Sequence, residues 1–381
     1  MKLINNLFLN SIVVLMLLMT SARVVKADVL PPSPQNIAIS TSFDKAASPA
    51  TLYIWNNASG GYDSGNNARW GLTYWTCTSD SDPAPGKCST KKYQSGWDTK
   101  IALEFVEQRS RATQVLNLYA VRTGEWVPTA VCGGDGGKYA DQKPMNTSAQ
   151  NTCRGQTTAG VSLIVRIDPA ELKKIPVGGI WKAGLKIILH NSSDSERYDW
   201  QADITLNVTD NNNQKIYLPE FGEAQPLIDL NLRPLPGTTA SQSKMRGTAN
   251  IDMCLYDGYG ANSSSFMLNF QDTGPDGGRN SNLFSVYREG GNPQNEQDRI
   301  DYTLSLRSPV SNADININRG EDVTLSNINQ AQIRQVHLPG ILQPVICVPA
   351  PLKLQTPEFN ISSKAAGRYS GTLRINFTPQ L

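Results

Sequence analysis

Along Tyr369 to Phe377 apolar and polar positions alternate: Tyr369, Gly371, Leu373, Ile375 and Phe377 fall on one side, Thr372, Arg374 and Asn376 on the other. That is the period-2 pattern of a half-buried strand. The same alternation runs through Ile101, Leu103 and Phe105, through Leu116, Leu118 and Ala120, and through Val161, Leu163, Val165 and Ile167. It is cleanest where Tyr198, Trp200, Ala202, Ile204, Leu206 and Val208 face away from Asp199, Gln201, Asp203, Thr205, Asn207 and Thr209. A helix is predicted only over Asp168 to Ile175, with Asp168 as N-cap, Pro169 in first position and Glu171 three residues after the cap. About two turns leave an all-β reading intact.

After Val208 comes Thr-Asp-Asn-Asn-Asn-Gln, a polar run that joins no core. The second half then repeats the style of the first, at Ile228, Leu230 and Leu232, at Ile251, Met253 and Leu255, at Phe266, Leu268 and Phe270, and at Tyr302, Leu304 and Leu306. Turn-forming runs such as Gly274-Pro275-Asp276-Gly277-Gly278 and Gly290-Gly291-Asn292-Pro293 separate them. Many short strands at this spacing describe two β-sandwiches in tandem, and 381 residues suffice for two cores. At the amino end, Lys2, an apolar run within Ser11 to Thr20 and the small-residue site Val25-Lys26-Ala27 read as a signal peptide. The run is too short to span a bilayer. The expected division is therefore a signal peptide over 1–27, a first domain over 28–210, a linker over 211–214 and a second domain over 215–381.

A formal net charge of +2 gives no electrostatic case for nucleic-acid binding. In an exported chain the even set Cys77, Cys88, Cys132, Cys153, Cys254 and Cys347 favours three disulfides over metal ligation. Six cysteines allow fifteen connectivities. Sequential pairing is the expectation, because each pair then stays within one stretch of chain between domain signals. A Cys254 to Cys347 loop of about 94 residues would restrict the unfolded chain by roughly 4 to 5 kcal/mol, and each shorter loop by about 3. His190 and His337, with no Cys-x-x-Cys, leave little from which to build a metal site, and no cofactor is expected. Catalysis is likewise not expected: Glu104, Glu107, Asp135 and Asp199 form no isolated carboxylate pair, and no Gly-x-Ser-x-Gly occurs.

The closing strand sets a separate problem. A sheet that ends on an apolar strand leaves a row of unpaired N–H and C=O groups, which proteins normally cover or blunt. The cover expected here is a strand from another polypeptide.

Several ordered blocks point the same way. They are Leu218-Pro219-Glu220-Phe221, Asp229-Leu230-Asn231-Leu232-Arg233-Pro234, Asp252-Met253-Cys254-Leu255-Tyr256-Asp257-Gly258-Tyr259, Asn262-Ser263-Ser264-Ser265, Phe270-Gln271-Asp272, Tyr302-Thr303-Leu304-Ser305-Leu306 and Phe377-Thr378-Pro379. In the first half Ala170-Glu171-Leu172, Pro176-Val177-Gly178-Gly179-Ile180-Trp181 and Ile204 to Asp210 add to them. With these blocks the chain resembles the minor tip adhesins of class 5 enterobacterial fimbriae, of the CfaE and CooD type, also called CblD-like pilus biogenesis initiators.

The resemblance implies an immunoglobulin-like adhesin domain followed by an immunoglobulin-like pilin domain that lacks one strand and is completed by donor-strand complementation. It implies pairing of Cys77 with Cys88, Cys132 with Cys153 and Cys254 with Cys347. The partners it implies are a periplasmic chaperone, an outer-membrane usher, a major pilin subunit that donates its strand, and a host-cell glycan or glycoprotein receptor. The location it implies is the fimbrial tip at the cell surface, reached through the periplasm. Tyr369, Leu373, Ile375 and Phe377 would line the acceptor groove. Receptor binding falls to arginines of the first domain: Arg69 and Arg197 correspond in part to the family's positions, with His190 and Asn191 near the place of an arginine pair, and Arg154 is a third candidate. An arginine fork suits a carboxylate, so a sialylated receptor is the chemical candidate, with Trp70 and Tyr198 as stacking surface. The alternative is a structural cap that initiates assembly without binding any receptor.

Overall fold

The computed structural model describes residues 28–380 apart from 48, 67–68, 94–95, 128–138, 149–151, 154–155, 222–224, 237–242 and 277, with the backbone alone described at 139–141, 152–153 and 156. The described strands fall into two sets that share no sheet. The amino-terminal set comprises β1 (Val29–Leu30), β2 (Gln35–Asp44), β3 (Leu52–Asp63), β4 (Tyr74–Cys77), β5 (Thr99–Glu107), β6 (Thr113–Glu125), β7 (Tyr139–Pro144), β8 (Thr152–Cys153), β9 (Gln156–Thr157), β10 (Gly160–Ile167), β11 (Gly179–His190) and β12 (Arg197–Thr209). Ten of these join one sheet in the order β1-β3-β10-β6-β5-β11-β12-β2, with β4 on β11 and β7 on β6, while β8 and β9 form a separate pair. Between β5 and β11 the pairing shrinks to two positions, Trp181 with Glu107 and Lys182 with Val106. There the sheet folds over, so Leu103, Leu118, Leu163 and Val165 share one core with Leu185, Ile187, Trp200 and Ile204. The alternation in β12 does what its pattern predicts: Trp200, Ala202, Ile204, Leu206 and Val208 are buried.

The predicted helix shrinks to a single turn, α1 (Pro169–Leu172). Its capping residues have other partners. Asp168 makes no side-chain cap bond and pairs with Arg166 at 3.0 Å, while Glu171 accepts from the Asn117 N–H at 2.9 Å and from Lys174 Nζ at 2.6 Å. Tertiary acceptor demand overrides the local signature.

The carboxy-terminal set comprises β13 (Lys215–Tyr217), β14 (Arg233–Pro234), β15 (Lys244–Arg246), β16 (Thr248–Ile251), β17 (Cys254–Tyr256), β18 (Ser265–Asp272), β19 (Phe284–Arg288), β20 (Arg299–Arg307), β21 (Asp314–Ile317), β22 (Asp322–Ser326), β23 (Arg334–Val336), β24 (Val345–Pro349), β25 (Leu352–Gln355), β26 (Phe359–Asn360), β27 (Tyr369–Ser370) and β28 (Leu373–Gln380). Four sheets result: β13-β17-β24-β23, β14-β15-β26, β16-β25-β20-β19-β27 with β21 on β20, and β22-β18-β28. Phe266, Leu268 and Phe270 of β18 pack in one core with Leu304, Leu306, Leu352 and Leu354 from the facing sheet.

The two bodies meet closely. Tyr256, Val345 and Cys347 of the carboxy-terminal body lie in the same buried cluster as Trp181 and Val208. The Arg109 guanidinium, just beyond β5, donates through Nη1 to the carbonyls of Ala261 at 2.5 Å and Ile328 at 2.9 Å, and through Nη2 to that of Ala331 at 2.7 Å. The polar run between the bodies is tied down rather than loose. Asp210 N–H donates to Gly258 O at 2.8 Å, Asn211 N–H to Asp44 Oδ2 at 3.1 Å, and Asn211–Asn213 form a 3₁₀ turn.

Candidate functional site

Strand direction decides which end of the amino-terminal body is free. The turn after β5, the start of β11 and the end of β12 lie against the carboxy-terminal body, through Arg109, Gly178 and Asp210. The opposite pole therefore collects the end of β3, the start of β4, the end of β11 and the start of β12. The register agrees: His190 pairs with Tyr74 on one side and Arg197 on the other, and Asp63 pairs with Val29.

Arg69 and Arg197 both stand at this pole, in different settings. Arg69 lies on the segment joining β3 to β4, exposed, with its guanidinium 4.4 Å over the Trp70 ring and Nη1 3.4 Å from Asp63 Oδ2. Trp70 itself is buried, so it is not available as the open stacking surface expected of it. The segment is anchored from below by Arg122, whose buried guanidinium donates through Nε to Thr73 O at 2.7 Å and through Nη2 to Gly71 O at 2.6 Å. Burial pushes its pKa down to about 10, which leaves it charged at neutral pH. Arg197 is exposed at the start of β12 and makes no ion pair within the described residues. Tyr198 beside it is half-buried. Arg154 lies outside the described residues.

Between the two arginines stands a cluster that residue spacing does not announce. His190 is stacked on Tyr74, with ring centroids 4.9 Å apart and 7° between planes, and its Nε2 lies 2.9 Å from Thr76 Oγ1. Its Nδ1 sits 3.3 Å from Asp194 Oδ1, and the Tyr74 hydroxyl donates to that same carboxylate. Burial pushes the His190 pKa down, against the pull of Asp194. Burial also raises the Tyr74 pKa, helped by its bond to Asp194. Lys92 completes the group, its Nζ 5.1 Å from the centre of the Tyr74 ring and donating to Ser192 O at 3.3 Å. The sequence carried half of this signal, at His190 and Asn191. The other half comes from elsewhere in the chain, Tyr74 through the β4–β11 ladder and Lys92 from the segment that follows Cys88.

The second feature is an open sheet edge. β28 pairs with β18 from Leu373 opposite Asp272 to Gln380 opposite Ser265, and lies at the border of its sheet. Leu373, Ile375 and Phe377 point toward the core but are only half-buried, whereas Phe266, Leu268 and Phe270 on the paired strand are fully buried. Tyr369 is not on this strand. It pairs with Arg288 in the opposite sheet, and the chain crosses between sheets at 371–372. A second incomplete piece is the segment 226–231. Pro226, Ile228 and Leu230 turn inward and Leu227, Asp229 and Asn231 outward, the alternation of a strand, yet the segment joins no ladder. Ile228 and Leu230 pack on the same core as Leu373, Ile375 and Phe377.

Among the described residues two disulfides are formed, Cys77 with Cys88 and Cys254 with Cys347. Cys132 lies outside the described residues, and its pairing with Cys153 with it. Among the described residues no group of His, Cys, Asp and Glu is placed to hold a metal ion.

Comparison with known proteins gives a consistent result. The family of the first domain of CfaE, from the CFA/I fimbria, matches residues 24–211, and the family of its second domain matches 214–381. The CfaE protein of the Escherichia coli CFA/I fimbria is 29% identical over 365 residues, covering 93% of each chain. The crystal structure of CfaE, the adhesive subunit of the CFA/I fimbria of enterotoxigenic Escherichia coli, is similar at a TM-score of 0.78 and 26% identity, over 92% of this chain and 94% of that one. A structure of a chaperone–tip adhesin complex of CFA/I fimbria biogenesis is similar at a TM-score of 0.65 and 25% identity, over 93% of this chain and 98% of that one.

Proposed function

This chain belongs to the CfaE family of CFA/I-type fimbrial proteins, and from that premise we propose that it is the adhesive tip subunit of a fimbria built by the chaperone–usher route. Residues 28–210 form the immunoglobulin-like adhesin domain, 211–214 the linker and 215–381 the immunoglobulin-like pilin domain, which lacks one strand. A periplasmic chaperone lends that strand first. After passage through an outer-membrane usher, a major pilin subunit supplies its own. The chain accepts a strand, while its own first strands β1 and β2 are already paired with β3 and β12, which puts it at the start of assembly and at the outer end of the fibre, on the cell surface.

The observation that carries this reading is the edge of β28. An eight-residue strand with three half-buried apolar side chains, across the same core from an extended segment that joins no ladder, fits a groove meant for a foreign strand. The other border of that sheet, β22, is shorter and begins at Asp322 behind Glu321, the kind of charged edge that discourages pairing. The reading is tested by secreting the full chain with and without a chaperone or an appended donor strand. Aggregation or degradation in the absence of a donor, and a soluble monomer in its presence, are expected. A monodisperse monomer with no donor at all overturns it.

The receptor, a sialylated glycoconjugate of the host cell, is bound at the distal pole by Arg69 and Arg197, with Arg154 as a third contributor. Support comes from an exposed Arg197 that no carboxylate among the described residues neutralises. One observation favours the second reading, a structural cap that initiates assembly without a receptor: Arg69 is already held by Asp63 and Trp70. Agglutination of erythrocytes by chaperone-bound wild type, lost in an Arg69→Ala, Arg197→Ala double variant, separates the two.

A further inference from the structure

Seven tryptophans are spread through the chain, and six of them, at positions 55, 70, 75, 126, 181 and 200, are no more than 6% exposed. The seventh, Trp97, is 82% exposed, and Tyr93 nearby is 55% exposed. A large flat side chain left in water is informative when the backbone beneath it is fixed, because the exposure is then built in rather than a product of a loose tip.

The chain is anchored at Tyr93 before Trp97 and at Thr99 after it. Tyr93 N–H donates to Asn146 O at 2.8 Å, and the buried Asn146 returns a bond from Nδ2 to Lys91 O at 2.9 Å. On the far side, Thr99 Oγ1 accepts from Met145 N–H at 3.0 Å and lies 3.5 Å from Asn146 Oδ1. Gly96 takes a left-handed conformation at φ 115° with the Pro144 ring 3.0 Å from where a Cβ would stand. Only glycine turns the chain there without strain.

The loop also belongs to the distal pole, since Lys92 crosses the Tyr74 ring to reach Ser192 in the hairpin that leads into Arg197. Lys91 and Lys92, which lead into Tyr93, make no ion pair with any carboxylate within the described residues, so cationic side chains adjoin the aromatic pair.

We propose that Trp97, with Tyr93, forms a stacking subsite for the pyranose ring next to the acidic sugar of a receptor glycan, an inference that rests on the receptor reading above. The apolar face of a pyranose lies flat on an indole, and its hydroxyls meet the polar groups that flank it, among them Asp98. So polar a stretch of sequence also argues against insertion into a lipid surface, which would need further apolar side chains beside the tryptophan.

The experiment uses the full chain in complex with its chaperone and two probes, N-acetylneuraminic acid and sialyllactose. Sialyllactose is expected to shield Trp97 from acrylamide quenching. Trp97→Ala is expected to weaken sialyllactose binding roughly tenfold and leave N-acetylneuraminic acid binding unchanged, with Trp97→Tyr restoring most of the difference. Equal sialyllactose binding by wild type and Trp97→Ala overturns the subsite while leaving the receptor reading in place. No binding of either sugar by wild type overturns both. Binding of phosphatidylcholine–phosphatidylserine vesicles that is lost in Trp97→Ala, with sialyllactose binding unchanged, reassigns the surface to a membrane.

Discussion

Arg109 of the first domain holds Ala261 of the second, its Nη1 2.5 Å from the alanine carbonyl oxygen. The same guanidinium takes the carbonyls of Ile328 and Ala331, so one side chain collects three acceptors from two separate loops. Behind it the buried Glu107 carboxylate orders the turn, accepting from the Arg109 and Ser110 N–H groups at 2.9 and 2.6 Å. Truncation at Arg109 leaves three carbonyls without their charged donor. With the guanidinium half-exposed, the expected loss is roughly 2 kcal/mol of docking between the domains. Small-angle scattering of the chaperone-bound Arg109→Ala protein should show a longer, more variable particle than wild type, while melting of the first domain stays in place. An unchanged scattering profile would mean that the apolar contacts hold the junction unaided.

The Gly178 contact predicts a stronger effect at the same junction. A Cβ at this position would stand 1.9 Å from Gly258 O and 3.1 Å from Val208 O, and backbone cannot rotate away as a side chain would. Gly178→Ala is therefore expected to part the domains and expose 209–214 to proteases. Gly184→Ala is the matched control: its nearest neighbour would be Asp203 Oδ1 at 3.9 Å. Limited proteolysis that cuts both variants alike would refute the steric account.

What was legible in the sequence follows from what local pattern can encode. Period-2 alternation located β12, β10 and β28 because in each the apolar set shares one face and lies deeper than most of its neighbours, and the ordered blocks of the second half identified the family that the comparisons bear out. Ile228, Leu230 and Leu232 carry the same alternation and form no ladder, since an alternating pattern states which face is buried but not whether a neighbouring strand exists. Tyr369 looked continuous with Leu373 for the same reason. The crossing at Gly371, whose Cβ position would lie 3.0 Å from Ser285 O, is a tertiary fact. The Tyr74–His190 stack joins residues brought together only by the ladder between β4 and β11, and no spacing rule reaches across such a distance.

His190 makes the first domain sensitive to mild acid. Thr76, Tyr74, Asp194 and Arg197 surround it, with Lys92 over the Tyr74 ring, and burial holds its pKa below the ordinary value of 6.5 in spite of Asp194. The unfolded chain then binds a proton more readily than the folded one. Its stabilising contribution is complete above pH 6.5 and is lost as pH falls toward the lower folded value. Asp44 and Glu171 have pKa values lowered from 3.8 and 4.5, so their contributions to acid stability are lost below that window. The midpoint of thermal unfolding should accordingly fall as the pH drops below 6.5, and His190→Gln should flatten that slope. A His190→Gln protein with the wild-type slope would assign the acid response elsewhere.

Phe377 offers the most direct probe of the open edge. Its ring meets Phe266 edge-on, centroids 5.0 Å apart at 87°, yet Phe266 is fully buried while Phe377 is only half covered. A side chain in that position contributes part of its burial in the isolated chain and the rest when a neighbouring strand closes over it. Phe377→Ala should therefore cost about 2 kcal/mol where no donor covers the edge, and roughly 3 to 5 in a chain with a donor strand appended. Asn376→Ala, on the outward face one residue away, should change neither. The comparison is made by denaturant unfolding of a protein with a full donor strand appended against one whose appended strand stops short of Phe377, so that both stay in solution. Equal losses in the two states would mean that Phe377 gains no contact from the added strand, and the groove would have to lie elsewhere on the domain.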